Sequence, residues 1–342
     1  MALRVAVEHQ RRQDRVVLEA LARVRASWAA MSVADLDASW ERRGGDIIAA
    51  TAVAQYEAAV AGARYVPTAL RAQGVGAVAS AGSVEPAMLA GVASDGRALG
   101  SLLYGGVVAS GRALNAGTAA PVALREGLTW LQRAVTTQVT DAGRGATFAG
   151  MVSTPAVKTW VRMVNPDACS RCIILAGRTY RLEGFERHPR CRCVHVPSAE
   201  NTPGDIGTDP VAYFNSMSEA EQDRVFTKAG ARAIRDGADM GQVVNARRGM
   251  FTADFNSKGW TPRGRLTRHE VDGVMTFSTL EGTTRRGSAY QAMRKAPWLR
   301  EEVKYSRTTR LRAPRLMPEG IYEMADDRDH AVQLLRLYGY IK

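Results

Sequence analysis

Cysteine, histidine and aromatic residues are all scarce in this 342-residue chain: 4 Cys, 5 His (His9, His188, His195, His269 and His330) and 7% Phe, Trp and Tyr. So few Cys exclude a disulfide-dense scaffold at this size, leaving a packed core to hold the fold. Long hydrophobic runs are missing too. The most apolar stretch, Met88 to Ser110, is rich in Gly and interrupted by Asp95 and Arg97, so a span of about 20 apolar residues is not available. The start, MALRVAVEHQRRQDR, has no apolar core followed by a small-residue cleavage site, and a soluble protein in a reducing compartment is expected. With 46% hydrophobic and 23% charged residues, disordered and collagen-like classes are excluded. The length suggests two or three domains.

Acidic charge is in deficit, and the deficit is local. The net charge of +12 divides into +3 over 1–157, +5 over 158–193, −4 over 194–245, +10 over 246–315 and −2 over 316–342. Such concentration favours a polyanionic partner over a uniformly solubilising surface, because a localised positive field gathers phosphates. In 246–315, Arg247, Arg248, Arg263, Arg265, Arg268, Arg285, Arg286, Arg294 and Lys295 alternate with aromatics such as Phe251, Trp260, Tyr290 and Trp298. Arg with aromatics suits sequence-tolerant contact with phosphates and bases. The competing reading is a folded domain whose aromatics are core and whose Arg are solvated or paired.

Helical spacing predicts a helix over 4–30, from Val5, Val16, Leu18, Leu21, Val24 and Trp28. A second helix is expected after a Ser32 cap with Asp35 three residues on, and a third from Ile47 to Ala63 before a break at Val66-Pro67. Helices dominate again from Glu85 to Val164. Strand-like pieces follow at Cys172–Leu175, Arg178–Leu182 and Cys193–Val196, then a capping box at Ser218–Glu221, a helix over 231–235, an aperiodic Gly-, Thr- and Arg-rich stretch beyond Gly249, and a final helix from Asp326 to Tyr338. The expected class is α+β, mainly α. It comprises an N-terminal helical region (1–84), a helical domain (85–164), a small Cys/His module (165–200) and an irregular, basic C-terminal α+β domain (201–342).

All four thiols fall within 25 residues, as Cys169-x2-Cys172 and Cys191-x-Cys193, with His188 just before the second pair. A Cys-x2-Cys turn presents two sulfurs to one ion, a second pair arrives from a later loop, and four thiolate or imidazole ligands suit tetrahedral zinc. The candidate ligands are Cys169, Cys172, Cys191 and Cys193, or three of these with His188; His195 is a further option. On an extended strand Cys191 and Cys193 share a face opposite Arg190 and Arg192. A four-ligand site is closed, hence structural. Buried thiols without metal, or a redox pair at Cys169 and Cys172, are the other readings.

The run Cys169-Ser-Arg-Cys172, Leu175-Ala-Gly-Arg-Thr-Tyr180 and Phe185-Glu-Arg-His188-Pro-Arg-Cys-Arg-Cys193-Val-His-Val-Pro197 resembles the signature of phage Mu F-like head morphogenesis proteins. These are minor capsid proteins of tailed phages, encoded near the portal protein. A preceding helix carrying Asp141-Ala-Gly-Arg144 and Trp160-Val-Arg162, and the later Val243–Gly249 and Glu281–Gly287, are similar to segments of longer members from phages of actinobacteria. The Cys/His core covers about a tenth of the chain, and the looser similarity covers residues 95–342. The resemblance implies a virion component inside the head, assembled in the host cytoplasm. Its partners would be the portal, the major capsid or scaffold protein and non-specifically bound phage DNA, with no membrane. Some members act as capsid maturation proteases, but no Gly-x-Ser-x-Gly or His-Glu-x-x-His occurs here. Ser278-Thr279-Leu280-Glu281 resembles a fragment of ADP-ribosyltransferases. An enzyme of either kind is the alternative to a structural protein.

Overall fold

A computed structural model describes residues 2–76, 79–165, 167–181, 183–184, 191–200, 208–247, 281–296 and 315–342, together with strands at 252–256, 259–263, 267–271 and 274–279. The chain is mainly helical with few strands, an α+β fold. It forms two compact units: residues 1–168 with 175–209, and 169–174 with 210–342.

The first unit is built on three long helices, α1 (Ala2–Trp28), α2 (Leu36–Arg71) and α5 (Ala120–Val152), with the shorter α3 (Leu99–Leu103) and α4 (Gly105–Asn115) between the last two. One core runs through them, from Leu21, Val24 and Trp28 through Ile47 and Ala58 to Leu99, Leu103, Leu131, Val135 and Val139. The regions expected as 1–84 and 85–164 therefore share a core. Two expectations are corrected here. The cap of α2 is Asp35, whose side chain accepts from the Ala38 amide, and Ser32 instead accepts from Ala34. Nor does the chain break at Val66-Pro67: one helix of 36 residues carries Pro67 inside it. Proline removes one donor from the ladder, but Tyr65, Val66, Ala69 and Leu70 on either side are all buried, and that burial holds the last turn in place.

Small residues set the helix spacing. A methyl carbon added at Gly62 of α2 would stand 2.3 Å from the Gly143 carbonyl oxygen of α5, and one added at Gly143 would meet the Gln13 side chain of α1 at 2.7 Å. Buried Gln13 donates to the Ala58 carbonyl at 3.0 Å. A second close crossing brings Gly127 of α5 to Gly106 of α4, 2.6 Å from its carbonyl oxygen by the same measure.

The helix expected to reach Val164 ends at Val152. Residues Thr159–Met163 are strand β1, so Trp160 and Arg162 lie on a strand; the β-branched and aromatic run Thr-Trp-Val favours extended backbone. It pairs antiparallel with β2 (Thr179–Tyr180) and β3 (Val194–Ser198) in the order β2-β1-β3, with Trp160 opposite Tyr180 and Pro197, and Arg162 opposite His195. This sheet packs through Val161, Met163, Val194 and Val196 on Ala6, Tyr65 and Ala69. Cys172 is not on a strand. It sits in a single helical turn, α6 (Ser170–Ile173), with Cys169 at its N-cap.

In the second unit, helices α7 (Pro210–Ser216), α8 (Glu219–Phe226), α9 (Lys228–Arg235) and α10 (Met240–Ala246) precede strands β4 (Thr252–Asn256), β5 (Gly259–Arg263), β6 (Thr267–Val271) and β7 (Val274–Thr279). The Ser218–Glu221 capping box is formed. The stretch beyond Gly249 is more ordered than its lack of helical period suggested: β4 pairs with β5, and β6-β7 is completed by β8 (Arg315–Leu316). Helix α11 (Ser288–Met293) and helices Pro318–Met324 and Arg328–Leu337 follow. The core joins Ala233, Val243 and Ala246 to Leu316, Ile321, Leu335 and Tyr340.

The two kinds of helical glycine respond oppositely to a methyl group. Gly62→Ala should cost about 1–3 kcal/mol by overpacking. Gly45→Ala, on an exposed position with nothing within 4 Å, should gain about 0.5–1 kcal/mol. Urea unfolding of both variants checks the contrast; equal shifts would contradict the close crossing.

Candidate metal centre

The segment entering β3 alternates its side chains. Cys191, Cys193 and His195 lie on one face and are buried. Arg192, on the other, forms ion pairs with Asp14 at 2.6 Å and with Asp167. Those two carboxylates raise the Arg192 pKa, the Asp14 hydrogen bond foremost. Expected face sharing by the two Cys is thus observed.

Helix α5 fixes this segment by its backbone. Arg144 donates from Nε to the Cys193 carbonyl at 3.1 Å and from Nη2 to the Cys191 carbonyl, while Nη1 meets Asp141 at 3.4 Å. Its side chain is 11% exposed, so these charge-assisted bonds are shielded from water. From α2, the Tyr65 hydroxyl donates to the His195 carbonyl at 2.9 Å; burial raises its pKa well beyond the usual phenol range. Gln73 donates to the Pro197 carbonyl at 2.6 Å.

Arg162 reaches the same place from β1. It is 1% exposed, and its Nη2 donates to Cys191 Sγ at 3.8 Å. His195 stands edge-on to Trp160 at 4.4 Å, with Phe148 beyond. Burial lowers its pKa to about 3, and the positive charges of Arg144 and Arg162 add to the effect. The imidazole is neutral at physiological pH. One cation thus touches a sulfur and a second holds the backbone of the same segment, charges that would offset negative thiolates.

Three thiols, those of Cys172, Cys191 and Cys193, are buried with their Sγ atoms within 4.8 Å of one another, and this cluster could hold a metal ion. The spacing suits one ion: metal–sulfur bonds of about 2.3 Å in a tetrahedron place sulfurs about 3.8 Å apart. Cys169 is exposed and lies outside the group of three. His188 lies outside the described residues. His195, the further option, is not in the group.

The expected nucleic-acid contacts separate into kinds. Arg285, Arg286, Arg294 and Lys295 are exposed around α11. Arg247 is instead engaged within the protein: it pairs with Glu319 and donates to the Thr227 hydroxyl at 2.9 Å, and its burial lowers its pKa. Arg263 and Arg268 fall on β5 and β6, and Arg248 and Arg265 lie outside the described residues. Arg315, in the same basic block, is 1% exposed and donates to the Tyr338 carbonyl at 2.8 Å. Ser278, in the Ser-Thr-Leu-Glu fragment, is buried on β7, and the Thr279 hydroxyl accepts from the Glu281 amide.

The supporting roles of Tyr65, Arg144 and Arg162 were not predicted. Arg144 and Arg162 were visible only as members of segments similar to the Mu F-like family, and Arg162 also as a charge inside the apolar run from Trp160 to Val164. Comparison with protein-family models, curated proteins and solved structures gives no match. Among the described residues no helix is long and apolar enough to cross a membrane.

Arg144→Lys keeps the charge but cannot reach both carbonyls with a planar fork. We expect a loss of about 1–3 kcal/mol and faster amide exchange at 191–195. Unchanged exchange there would contradict the anchoring role.

Proposed function

We propose that this chain is a structural minor capsid protein of a tailed phage, acting in head morphogenesis. It would be associated with the portal and inner capsid and assist head assembly and DNA packaging or delivery. The observation that carries the reading is the buried thiol group. Three of the residues on which the Mu F-like resemblance rests, Cys172, Cys191 and Cys193, gather there, with Arg144 and Arg162 bonded to the same segment. A closed, buried cluster of this kind suits a structural pin better than a site that must admit substrate.

In this reading the ion is zinc. Three thiolates are soft donors that suit it, and Cys169 or His188 supplies the fourth ligand. Bound zinc would pin the helical turn at Cys172 to the segment carrying Cys191 and Cys193, and the two guanidiniums would offset the thiolate charge. Among the described residues, exposed Arg285, Arg286, Arg294 and Lys295 are placed to meet packaged DNA without sequence preference. The protein would reside inside the head and, during assembly, in the host cytoplasm.

Purified without chelator, the protein should carry one zinc ion per chain, and removing it should lower the melting midpoint by about 5–10 °C. Metal-free protein of unchanged midpoint would remove the zinc assignment.

The reading requires a portal gene beside the one for this chain, and the functional test is reconstitution with that portal protein. Co-expressed, the two should co-purify as a complex, and Cys191→Ser with Cys193→Ser should reduce the yield. Separate elution of the wild-type pair, with no copies in purified heads by mass spectrometry, would defeat the proposal.

A further inference from the structure

Helices α1 and α2 leave a groove between them on the first unit. It consists of two depressions of about 280 and 270 Å³ that share Arg12, Ala61 and Arg64 as lining residues and so run into one another. Arg15 lines the first and Tyr56 the second. Arg12, Arg15 and Arg64 are exposed, and their side chains have no carboxylate partner among the described residues. Of the acids present, Glu8 in the first depression pairs with Arg4 at 3.6 Å, and Glu57 lies in the second. Three guanidiniums thus face a concave surface in which Glu57 is the one lining carboxylate without a partner among the described residues.

The wall of the first depression carries a second, independent sign. His9 is 9% exposed and stacked on Tyr65, with ring centroids 4.1 Å apart and planes 9° from parallel. Its ring makes no hydrogen bond to the described residues, although it lines the groove. Burial and the Arg12 charge hold its pKa at about 4, so it offers one N–H donor and one lone pair at neutral pH. A buried polar ring with no hydrogen-bond partner among the described residues, at the edge of a cationic groove, is placed for a ligand atom or for water. Farther along, Tyr56 presents a 46% exposed ring beside half-buried Val16 and Val60.

We propose that this groove binds a nucleotide phosphate, with Arg12, Arg15 and Arg64 on the phosphates, His9 hydrogen-bonded to the ligand and the base against Tyr56. Guanidinium forks match phosphate oxygens, and an exposed aromatic beside a row of Arg is the pairing used for stacked bases. The chemistry is the same whether the phosphate belongs to a free nucleotide or to a single strand of nucleic acid. This site is separate from the basic segment 246–315 and does not depend on the head-protein reading.

The full-length protein would be titrated with two probes, ATP and a fluorescent oligothymidylate of about 12 nucleotides, within the site sizes of single-strand grooves. Binding of ATP alone assigns a free nucleotide, and binding of the oligonucleotide assigns a strand. In either case Arg12→Gln with Arg64→Gln should weaken binding at least tenfold, on the order of 1.4 kcal/mol. For the oligonucleotide it should also lower the salt slope by about 1.4, two contacts at about 0.7 each. Arg285→Gln with Arg286→Gln should leave ATP binding unchanged. Arg15→Gln alone and Tyr56→Ala, both at exposed positions, serve should the double variant melt early. The His9 ring nitrogen resonances should move on binding. Absence of binding to both probes, or affinity unaffected by the Arg12, Arg15, Arg64 and Tyr56 variants, would overturn the proposal.

Discussion

The crossing of α2 and α5 at Gly62 and Gly143 is the constraint on which the first unit depends. With no side chain on either residue, the two backbones approach until a single methyl carbon would collide with a carbonyl. Tyr65 lies one turn beyond Gly62, and Arg144 adjoins Gly143. The same approach that buries the helix faces delivers both polar groups to the strand: Tyr65 to the His195 carbonyl, Arg144 to the carbonyls of Cys191 and Cys193. Packing and the cysteine segment are thus set by one contact. A wider crossing would withdraw both anchors together.

Charge is used inside this molecule as much as outside. Arg144, Arg162 and Arg315 are buried or nearly so, and each donates to carbonyls or sulfur. Arg247 is taken up by Glu319. Guanidinium is suited to the task because its fixed fork serves several acceptors at once and remains charged. The net positive charge therefore overstates what the surface offers a partner: in 246–315, among the described residues, Arg247 and Arg315 are committed internally.

The sequence revealed helix α1, the Ser218 capping box, the mainly helical class and the face shared by Cys191 and Cys193, because each depends on local periodicity or spacing. It concealed the continuity of α2 through Pro67, since proline argues for a break and only the burial of Tyr65, Val66, Ala69 and Leu70 overrides it. It concealed the helical turn at Cys172, which apolar Ile173, Ile174 and Leu175 made resemble a strand. The positioning groups at the thiols were hidden for a plainer reason. Tyr65 and Arg144 are 130 and 47 residues from the carbonyls they hold, and no spacing rule spans such distances. Strands β4 to β7 escaped notice because their stretch is rich in Gly, Thr and Arg and has no helical period.

The ion pair between Arg192 and Asp14 spans 178 residues, and Ala6 of the same N-terminal helix is covered in part by strands near residues 161 and 194. A chain emerging from the ribosome therefore makes its first helix long before the strand that shields it. Until synthesis has passed residue 196, the apolar edge of α1 and α2 that β1 and β3 cover stays open to solvent and to other nascent chains. The yield of folded protein would then respond to translation speed before that point and to chaperones that cover the open edge.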